Sequence, residues 1–328
     1  MALINNALSQ KAGAQNALME TWRQQFPIYE KMQKAYLHYV PYTNIRSADY
    51  VFKQRTPFPK PFPYGNGRVH QGLVDKKITL NRFPYELTLD WDERDSADDQ
   101  LGDMATHVSA GVKRFLQLPD VLIGEYMTGV PVMNYNGLAL SYDGVSIYST
   151  VDGSASDRFG VSGGNIITGS GTSTTAKVLS DILACRRRLL QFTEPVTGQP
   201  LHNGPDITYS NMLFIIPSEL DSTFQQIAEK AMIYDEAAIT TAQSNMVVGK
   251  IKYQVNQRLT DTNDWFVVVD HPFWKPFAYC APKKVRQIMA TVANSDRARE
   301  TLQESMYCDL RLALSPWLPF MTLKVSNA

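Results

Sequence analysis

The sequence predicts an α+β fold for an elongated molecule, because helical and strand-like patterns follow one another along the chain. Apolar residues recur at helical spacing from Leu101 to about Thr128, whereas apolar and polar residues alternate from Tyr85 to Trp91. Met212–Pro217 is a short apolar run typical of a buried strand. The chain has 328 residues, 44% of them apolar, so it can bury a sizeable core in one large domain or two modest ones.

The N-terminal region predicts two helices followed by an extended, proline-rich segment. Ala14–Gln25 carries apolar residues at spacings of four, Pro27 interrupts it, and a second short helix is predicted over 28–37. In Pro57–Pro63 every second residue is proline, which favours an extended polyproline-like backbone and excludes the interior of a sheet. Such a segment needs another surface to pack on.

A long hairpin-like excursion is predicted next. Gly65-Asn66-Gly67 is a turn signal, and Lys76–Arg82 and Tyr85–Trp91 alternate as strands. A large loop rich in apolar side chains would leave them exposed to water in a monomer, so we expect it to pack on another subunit. The second strand has two distinct faces, an apolar one with Tyr85, Leu87, Leu89 and Trp91 and a polar one with Glu86, Thr88 and Asp90.

A long helix is predicted over about 97–128. Ser96 is a suitable N-cap, and acidic residues follow it in the first turn, where the helix dipole favours negative charge. At about 1.5 Å per residue this helix would be roughly 45 to 50 Å long. Pro119 predicts a kink or a break within it.

The second half predicts a mixed module of helices and strands. Between Gly153 and Thr175, 15 of 23 residues are Gly, Ser or Thr, which predicts an exposed, flexible insertion rather than core. Helices are predicted over Ala176–Phe192 and Ser218–Ala231. Strands are predicted at Met212–Pro217, Lys250–Asn256, Trp265–Val269 and in the tail Tyr307–Val325, which is broken by Pro316 and Pro319.

Charge is balanced overall but not along the chain. Lys plus Arg equals Asp plus Glu at 32 each, so no net field draws the subunit to nucleic acid or an anionic membrane. Residues 1–78 hold 11 basic and 4 acidic residues, whereas residues 79–103 hold 8 acidic and 2 basic ones. These segments are either two solvated faces or complementary patches through which neighbouring copies associate.

Several other protein classes are disfavoured by simple patterns. No apolar run approaches the roughly 18 to 20 residues of a membrane span, and residues 1–10 lack the order of a signal peptide. We therefore expect a cytosolic protein at synthesis. Cys185, Cys280 and Cys308 are far apart and form no C-x-x-C pair, which favours buried reduced thiols.

No catalytic, cofactor or metal site is predicted. Gly160–Gly164 matches the G-x-S-x-G pattern of a hydrolase, with Ser162 as the nucleophile, but the residues before it cannot form a buried strand. Gly164–Gly171 lacks the lysine of a phosphate loop, and the acidic cluster from Asp90 to Asp99 lacks the glycine of a calcium loop. The five histidines show no metal-binding spacing, and Arg186–Arg188 could either contact phosphate or form the polar side of a helix.

The order of these features resembles the major head subunit family of Mu-like phages, within the Hong Kong 97 type of capsid protein. The likeness spans most of the chain, although each piece is degenerate alone. The matching pieces, in order, are Glu20-Thr21-Trp22, the basic loop, Lys76–Asp95 with Asp98-Asp99, the long helix with Pro119, Tyr142-Asp143-Gly144, Ala176–Leu190, Leu213–Glu219, Asn245–Gly249, and Trp265–Asp270 with Pro276.

The resemblance implies an elongated subunit with five parts. They are an N-terminal arm (1–44), an extended β-hairpin loop (45–77), a peripheral domain (78–150 and 285–328) with a spine helix at about 97–128, a Gly/Ser/Thr-rich insertion (151–176) and an axial domain (177–284). The resemblance also implies contacts between subunits through the loop and the acidic segment. The residues expected at these contacts are Arg55, Lys60, Phe62, Tyr64, Arg68, Lys76, Lys77, Asp92, Glu93, Asp95, Asp98 and Asp99.

The implied function is structural and not enzymatic. Copies would form hexamers and pentamers of an icosahedral shell around double-stranded DNA, assembled in the host cytoplasm with scaffold, portal and decoration proteins, with only weak DNA contact and no membrane. An alternative is an encapsulin-like nanocompartment shell, which shares the fold and encloses a cargo enzyme. A remote alternative is a serine hydrolase using Ser162.

Overall fold

A computed structural model describes residues 37–41, 49–56, 61, 70, 72, 74–92, 94, 110–111, 113–115, 117–134, 137–235, 238–281, 286–290 and 294–327. Within these ranges no helix has the length and apolar character needed to cross a bilayer. The N-terminal helices predicted over 14–25 and 28–37 lie outside the described residues, except for Leu37, which begins a strand.

The described helices are α1 (Leu118–Thr128), α2 (Thr175–Gln191), α3 (Asp221–Glu229) and α4 (Asp296–Thr301). The described strands are β1 (Leu37–Pro41), β2 (Asp49–Thr56), β3 (Val74–Asn81), β4 (Phe83–Asp92), β5 (Ile166–Thr168), β6 (Met212–Ile216), β7 (Met232–Asp235), β8 (Ala238–Ser244), β9 (Lys252–Val255), β10 (Trp265–Val269), β11 (Phe277–Ala281), β12 (Arg286–Ala290), β13 (Gln303–Pro316) and β14 (Thr322–Ser326). The mixture of helices and sheets confirms the predicted class.

The first sheet joins strands from distant parts of the chain. Its order is β1-β11-β13-β12, and β4 also pairs with β13. β1 is parallel to β11, and the other pairs are antiparallel. The alternation predicted for β4 is confirmed, since Tyr85 is buried with Leu87, Leu89 and Trp91 packed beside it, whereas Glu86, Thr88 and Asp90 are exposed.

The second sheet has the order β5-β14-β10-β6-β9 and is covered on both faces. β10 lies at its centre with all five residues buried, as expected for an apolar run between two layers. Phe214, Trp265 and Val267 face the core that contains α2 and α3. Phe266 and Val268 face the opposite way, into a core shared with α1 and the first sheet.

Helix α2 is amphipathic and begins at a side-chain cap. The Thr174 hydroxyl accepts a hydrogen bond from the Lys177 amide at 3.4 Å, which satisfies one of the free N–H groups of the first turn. Apolar residues at helical spacing, among them Val178, Ile182 and Leu189, are fully buried against the second sheet. The helices predicted at Ala176–Phe192 and Ser218–Ala231 are thus confirmed, the latter as a 3-10 turn followed by α3.

Pro119 marks a break rather than a kink in the predicted long helix. Residues 110–111 and 113–115 are helical, Gln117 lies in a turn, and α1 begins at Leu118 with the proline in its first turn. Proline is tolerated there because the first N–H groups of a helix have no partner within it. The rest of the predicted helix, 97–109, lies outside the described residues.

The Gly/Ser/Thr-rich segment is only partly the exposed stretch that its composition predicts. Residues 153–157 are exposed, but Arg158, Phe159 and Asn165 are buried, at 0–2% exposure, and β5 within the segment pairs with β14. Gly164 lies in a tight turn, with a φ of 54°, against the Ser149 carbonyl. Composition alone does not distinguish such turns inside a core from an exposed loop, so the expectation of a segment outside the core holds only for its first residues.

Two strands cross the domain division expected from the resemblance. β11, expected in the axial domain, belongs to the first sheet with β13. β14, expected in the peripheral domain, belongs to the second sheet between β5 and β10. The chain therefore passes between the two sheets more than once, and the predicted break at 284/285 does not separate them.

Candidate assembly surface

The hairpin formed by β2 and β3 is the first part of the candidate surface. The strands pair antiparallel over eight positions, from Asp49 opposite Asn81 to Thr56 opposite Val74, which confirms the predicted strand at Lys76–Arg82. Ile78 and Leu80 are buried, at 5% and 1% exposure, against residues of β11 and β13. This end of the hairpin is therefore fixed to the first sheet.

Basic residues lie along the exposed part of the hairpin. Lys76 and Lys77 are exposed, and Lys77 lies opposite Lys53 in the strand register. The Lys76 ammonium lies 5.6 Å from the centre of the Tyr142 ring, a cation–π contact that leaves its charge near the surface. Like charges at opposed register positions destabilise a pair of strands, so an anionic partner would stabilise this part of the hairpin.

The outer face of β4 and β13 supplies such an anionic surface, which we call the acidic strip (Glu86, Asp90, Asp92 and Asp309). Glu86 lies directly opposite Asp309 in the register, and Asp309 also lies opposite Arg286 of β12 on its other side. The Asp90 carboxylate accepts a hydrogen bond from the Ser305 hydroxyl. The opposite, inner face is held by Trp91, whose indole N–H donates to Glu304 at 3.2 Å. The strip is therefore displayed on a fixed backbone.

Four of the twelve predicted contact residues fall within the described ranges, and the structure divides them between the two surfaces. Lys76 and Lys77 lie on the hairpin, Arg55 lies on β2 opposite Asp75, and Asp92 lies in the acidic strip. Glu86 and Asp309 were missed. The alternation in the sequence identifies Glu86 as a residue on the polar face of its strand. No local sequence pattern indicates that Asp309 lies opposite it. The other eight, Lys60, Phe62, Tyr64, Arg68, Glu93, Asp95, Asp98 and Asp99, lie outside the described residues.

The segment between α1 and β5 is held by a buried arginine. Arg158 Nε and Nη2 donate to the two carboxylate oxygens of Asp143 at 2.7 and 3.0 Å. Its Nη1 donates to the Ser146 and Ile147 carbonyls and to Asn165 Oδ1. Asn165 in turn donates to carbonyls of Ile147, Pro319 and Thr322. The sequence gives no signal that identifies Arg158 as the partner of Asp143.

The setting of Ser162 differs from a nucleophile elbow. Ser162 lies in a turn between a 3-10 turn and strand β5, and no helix follows it directly. Its carbonyl accepts a hydrogen bond from Arg188 at 2.6 Å. His202 is buried, its Nε2 lies 2.9 Å from the Phe320 carbonyl, and burial lowers its pKa to about 4. The strand-to-helix turn that a hydrolase needs is therefore not present at Ser162.

The Arg186–Arg188 run is engaged mainly within the subunit. Arg186 Nε donates to the Ile207 carbonyl at 2.9 Å, and its guanidinium lies over the Tyr209 ring. Arg188 binds the Ser162 carbonyl, whereas Arg187 is exposed. Two of the three guanidinium groups thus stabilise neighbouring turns, which favours the structural interpretation of this run.

The three cysteines are buried and form no disulfide, as predicted. Burial raises the pKa of the Cys308 thiol to about 11 and that of Cys185 well above its usual value. A high pKa keeps these groups protonated and unreactive. They therefore behave as small apolar side chains of the core.

Comparison with solved structures identifies the fold. No protein-family model and no curated protein matches the chain at the level of sequence. The capsid of an empty GTA particle is 10% identical with a TM-score of 0.56, covering 90% of this chain and 89% of that one. The capsid of Ralstonia phage GP4 is 10% identical with a TM-score of 0.54, covering 87% and 86%. A virus-like particle from Pyrococcus furiosus is 8% identical with a TM-score of 0.51, covering 95% and 96%. The chain therefore has the fold of phage capsid subunits along most of its length.

Proposed function

We propose that this chain is a structural capsid protein whose copies form the hexamers and pentamers of an icosahedral shell around double-stranded DNA. The observation that carries the proposal is the likeness to shell-forming subunits, which extends over at least 86% of both chains in the three comparisons above. The match extends over nearly the whole length of the chain, which supports a shell role for the subunit as a whole. We infer no enzymatic function.

The domain organisation proposed is that of the Hong Kong 97 type, adjusted for the observed strand pairing. The arm would comprise residues 1–44 and the extended loop residues 45–77, with β2 and β3 at the root of the loop. The first sheet and α1 would belong to the peripheral domain, with the spine helix upstream of Pro119. The second sheet with α2 and α3 would form the axial domain and would include β5 and β14.

A clasp between the hairpin of one copy and the acidic strip of a neighbour is the contact we propose for assembly. The hairpin would contribute Lys76, Lys77 and Arg55, together with Lys60, Phe62, Tyr64 and Arg68 farther along the loop. The strip would contribute Asp92, Glu86 and Asp309, with Glu93, Asp95, Asp98 and Asp99 beyond it. Complementary charge of this kind guides association and sets its register. The like charges of Lys53 and Lys77, opposed in the hairpin register, support the pairing because the strip would supply them with counter-ions.

The proposed setting of the protein is the virion capsid, assembled in the host cytoplasm. Scaffold and portal proteins, and decoration proteins on the outer surface, are the other partners that the proposal includes. The formal net charge of zero supports only weak contact with packaged DNA. A shell without strong attraction to DNA lets the genome enter without adhering to the wall.

Electron microscopy of the purified protein, alone and co-expressed with neighbouring genes, tests the proposal. We expect closed or tubular lattices built of hexamers. A uniform monomer or dimer under every condition would overturn the shell function. Nucleic acid extracted from native particles should be double-stranded DNA.

A nanocompartment shell is the second candidate, because one similar structure, covering 95% of this chain, is a virus-like particle from Pyrococcus furiosus rather than a phage capsid. Such a shell would have the same subunit fold as a viral capsid but would enclose a protein instead of DNA. Native particles that contain a packaged protein and no DNA would favour this function over the viral one.

A further inference from the structure

The loop that follows α1 presents an exposed apolar tip. Val130 and Val132 are 58% and 71% exposed, Pro131 between them is also exposed, and Leu140 farther along is 56% exposed. Scattered apolar residues on a surface need no explanation, but contiguous ones mark interaction sites. Three consecutive exposed apolar residues form such a patch.

The buried carboxylate of Glu125 holds this tip in one conformation. Glu125 is 5% exposed and accepts hydrogen bonds from the Met133 amide at 2.7 Å, the Asn134 amide at 3.0 Å and the Asn134 side chain at 2.7 Å. Gly129, with a φ of 78°, ends α1 and donates to the Glu125 carbonyl at 2.8 Å. A buried carboxylate is tolerated because several charge-assisted hydrogen bonds compensate for lost hydration. The loop is therefore fixed on both sides of its tip.

Two tyrosines attach the loop to the first sheet. The Tyr85 hydroxyl donates to the Met133 carbonyl at 3.3 Å. The Tyr126 hydroxyl accepts from the Ala139 amide at 3.2 Å and donates to the Leu314 carbonyl at 3.1 Å. Because these contacts hold residues 129–134 and the Ala139 amide in place, an association through the tip would lose little conformational entropy there.

The loop contains no charged side chains, and this restricts the kind of surface that it can bind. Residues 126–142 contain no Asp, Glu, Lys, Arg or His, although 20% of the chain is Asp, Glu, Lys or Arg. Such a surface offers nothing to DNA phosphates or to a strongly charged partner. It is compatible with itself, because identical surfaces meet around a symmetry axis and any charge on them would face a like charge.

We propose that the tip Val130–Val132 packs against the same tip of neighbouring copies around a local symmetry axis, with Glu125 as the positioning residue. The inference rests on the proposed shell function and names one contact within the shell. It is independent of the clasp between the hairpin and the acidic strip, which joins two different surfaces.

Opposite charges placed at one tip position test this contact. Val132→Asp and Val132→Lys, each expressed alone, should reduce the yield of closed particles roughly ten-fold or more, because like charges would meet at the axis. Co-expression of the two variants should raise the yield above that of either variant alone, because opposite charges then meet at part of the neighbouring positions. Particles are counted by electron microscopy and analytical sedimentation. Far-UV circular dichroism of the unassembled variants confirms that they fold, as expected for an exposed position.

Val196→Asp is the matched control, because Val196 is 76% exposed on a different loop. Its particle yield should equal that of the wild type. Opposite effects of Val132→Asp and Val132→Lys would overturn the self-contact and indicate a charged partner such as nucleic acid. If the wild type forms shells, normal assembly of both single variants would also overturn the self-contact. So would a mixture that assembles no better than either variant alone. A wild type that never forms shells would overturn the proposed function together with this contact.

Discussion

Arg158 and Asp143 form a bidentate ion pair in the interior of the protein, with N–O distances of 2.7 and 3.0 Å. The arginine side chain is 1% exposed and that of the aspartate 8% exposed. The pair connects the segment after α1 to the turn before β5.

Replacing Arg158 by alanine should lower the free energy of unfolding by about 3–5 kcal/mol, because Asp143 would remain buried without a counter-ion. Urea denaturation of the unassembled subunit measures this change. Arg187→Ala on the exposed side of α2 is the control and should stay within about 0.5 kcal/mol of the wild type. A loss for Arg158→Ala as small as that of the control would show that the pair is not stabilising.

Replacing Glu125 by alanine should destabilise the loop after α1. The amides of Met133 and Asn134 would lose their acceptor, at a cost of about 1–3 kcal/mol. Hydrogen exchange at residues 129–134 should accelerate, and thermal unfolding should begin at a lower temperature. Glu229→Ala, an exposed position at the end of α3, should change neither measurement, and unchanged exchange in the Glu125 variant would contradict the assigned role.

Stability should fall in mild acid through His202. Burial lowers the pKa of His202 to about 4, from about 6.5 in the unfolded chain. Between these values the unfolded state binds the proton more tightly, so the stabilisation is complete above pH 6.5 and is lost as the pH falls towards 4. The loss should reach about 3 kcal/mol. His202→Gln should show a flatter pH dependence in this window, and identical profiles for the two proteins would refute the assignment.

Charge reversal tests the proposed clasp. Lys76→Glu with Lys77→Glu should reduce shell formation, as should Glu86→Lys with Asp92→Lys, because like charges would then face each other between copies. Combining all four substitutions should restore part of the yield, and Arg187→Glu serves as a control of equal charge change per site.

Deletion of residues 56–77 should leave a folded subunit that forms no closed shells. Normal shells from the deletion would rule out the clasp.

The native protein should react with thiol reagents only after unfolding. Cys185, Cys280 and Cys308 have exposures of 0–1%, and burial raises the pKa of each thiol. A chromogenic disulfide reagent should therefore detect almost no thiol in buffer and all three in urea. Rapid reaction of any cysteine in buffer would contradict its burial.

Sequence patterns predicted the strands whose burial follows a regular alternation or a continuous apolar run. The alternation in β4 showed which residues face inwards, and the apolar run of β10 showed a strand buried on both faces. The hairpin charges were visible in the sequence, but the partner of Glu86 was not, because Asp309 lies more than two hundred residues away. Arg158 and Asn165 were missed for a related reason, since only the folded chain brings the carbonyls of Ile147 and Pro319 to them.

Amino-acid composition did not predict burial in the segment where backbone turns at glycines set the path of the chain. The Gly/Ser/Thr content of 153–175 predicted mobility, yet the glycines allow tight turns that place Phe159 and Ile167 in the core. The sheet membership of β14 could not be predicted either, because strand order depends on contacts between segments far apart in sequence.

The position of β14 between β5 and β10 also affects the order in which the nascent chain folds. The second sheet cannot close until Ser326 has left the ribosome, although β5 is synthesised more than 150 residues earlier. Until then β5 lacks its partner and one edge of β10 remains open, and such edges are prone to aggregation. Folding of this sheet is therefore completed only with the last strand, and a chain terminated before β14 would lack the strand that joins β5 to β10.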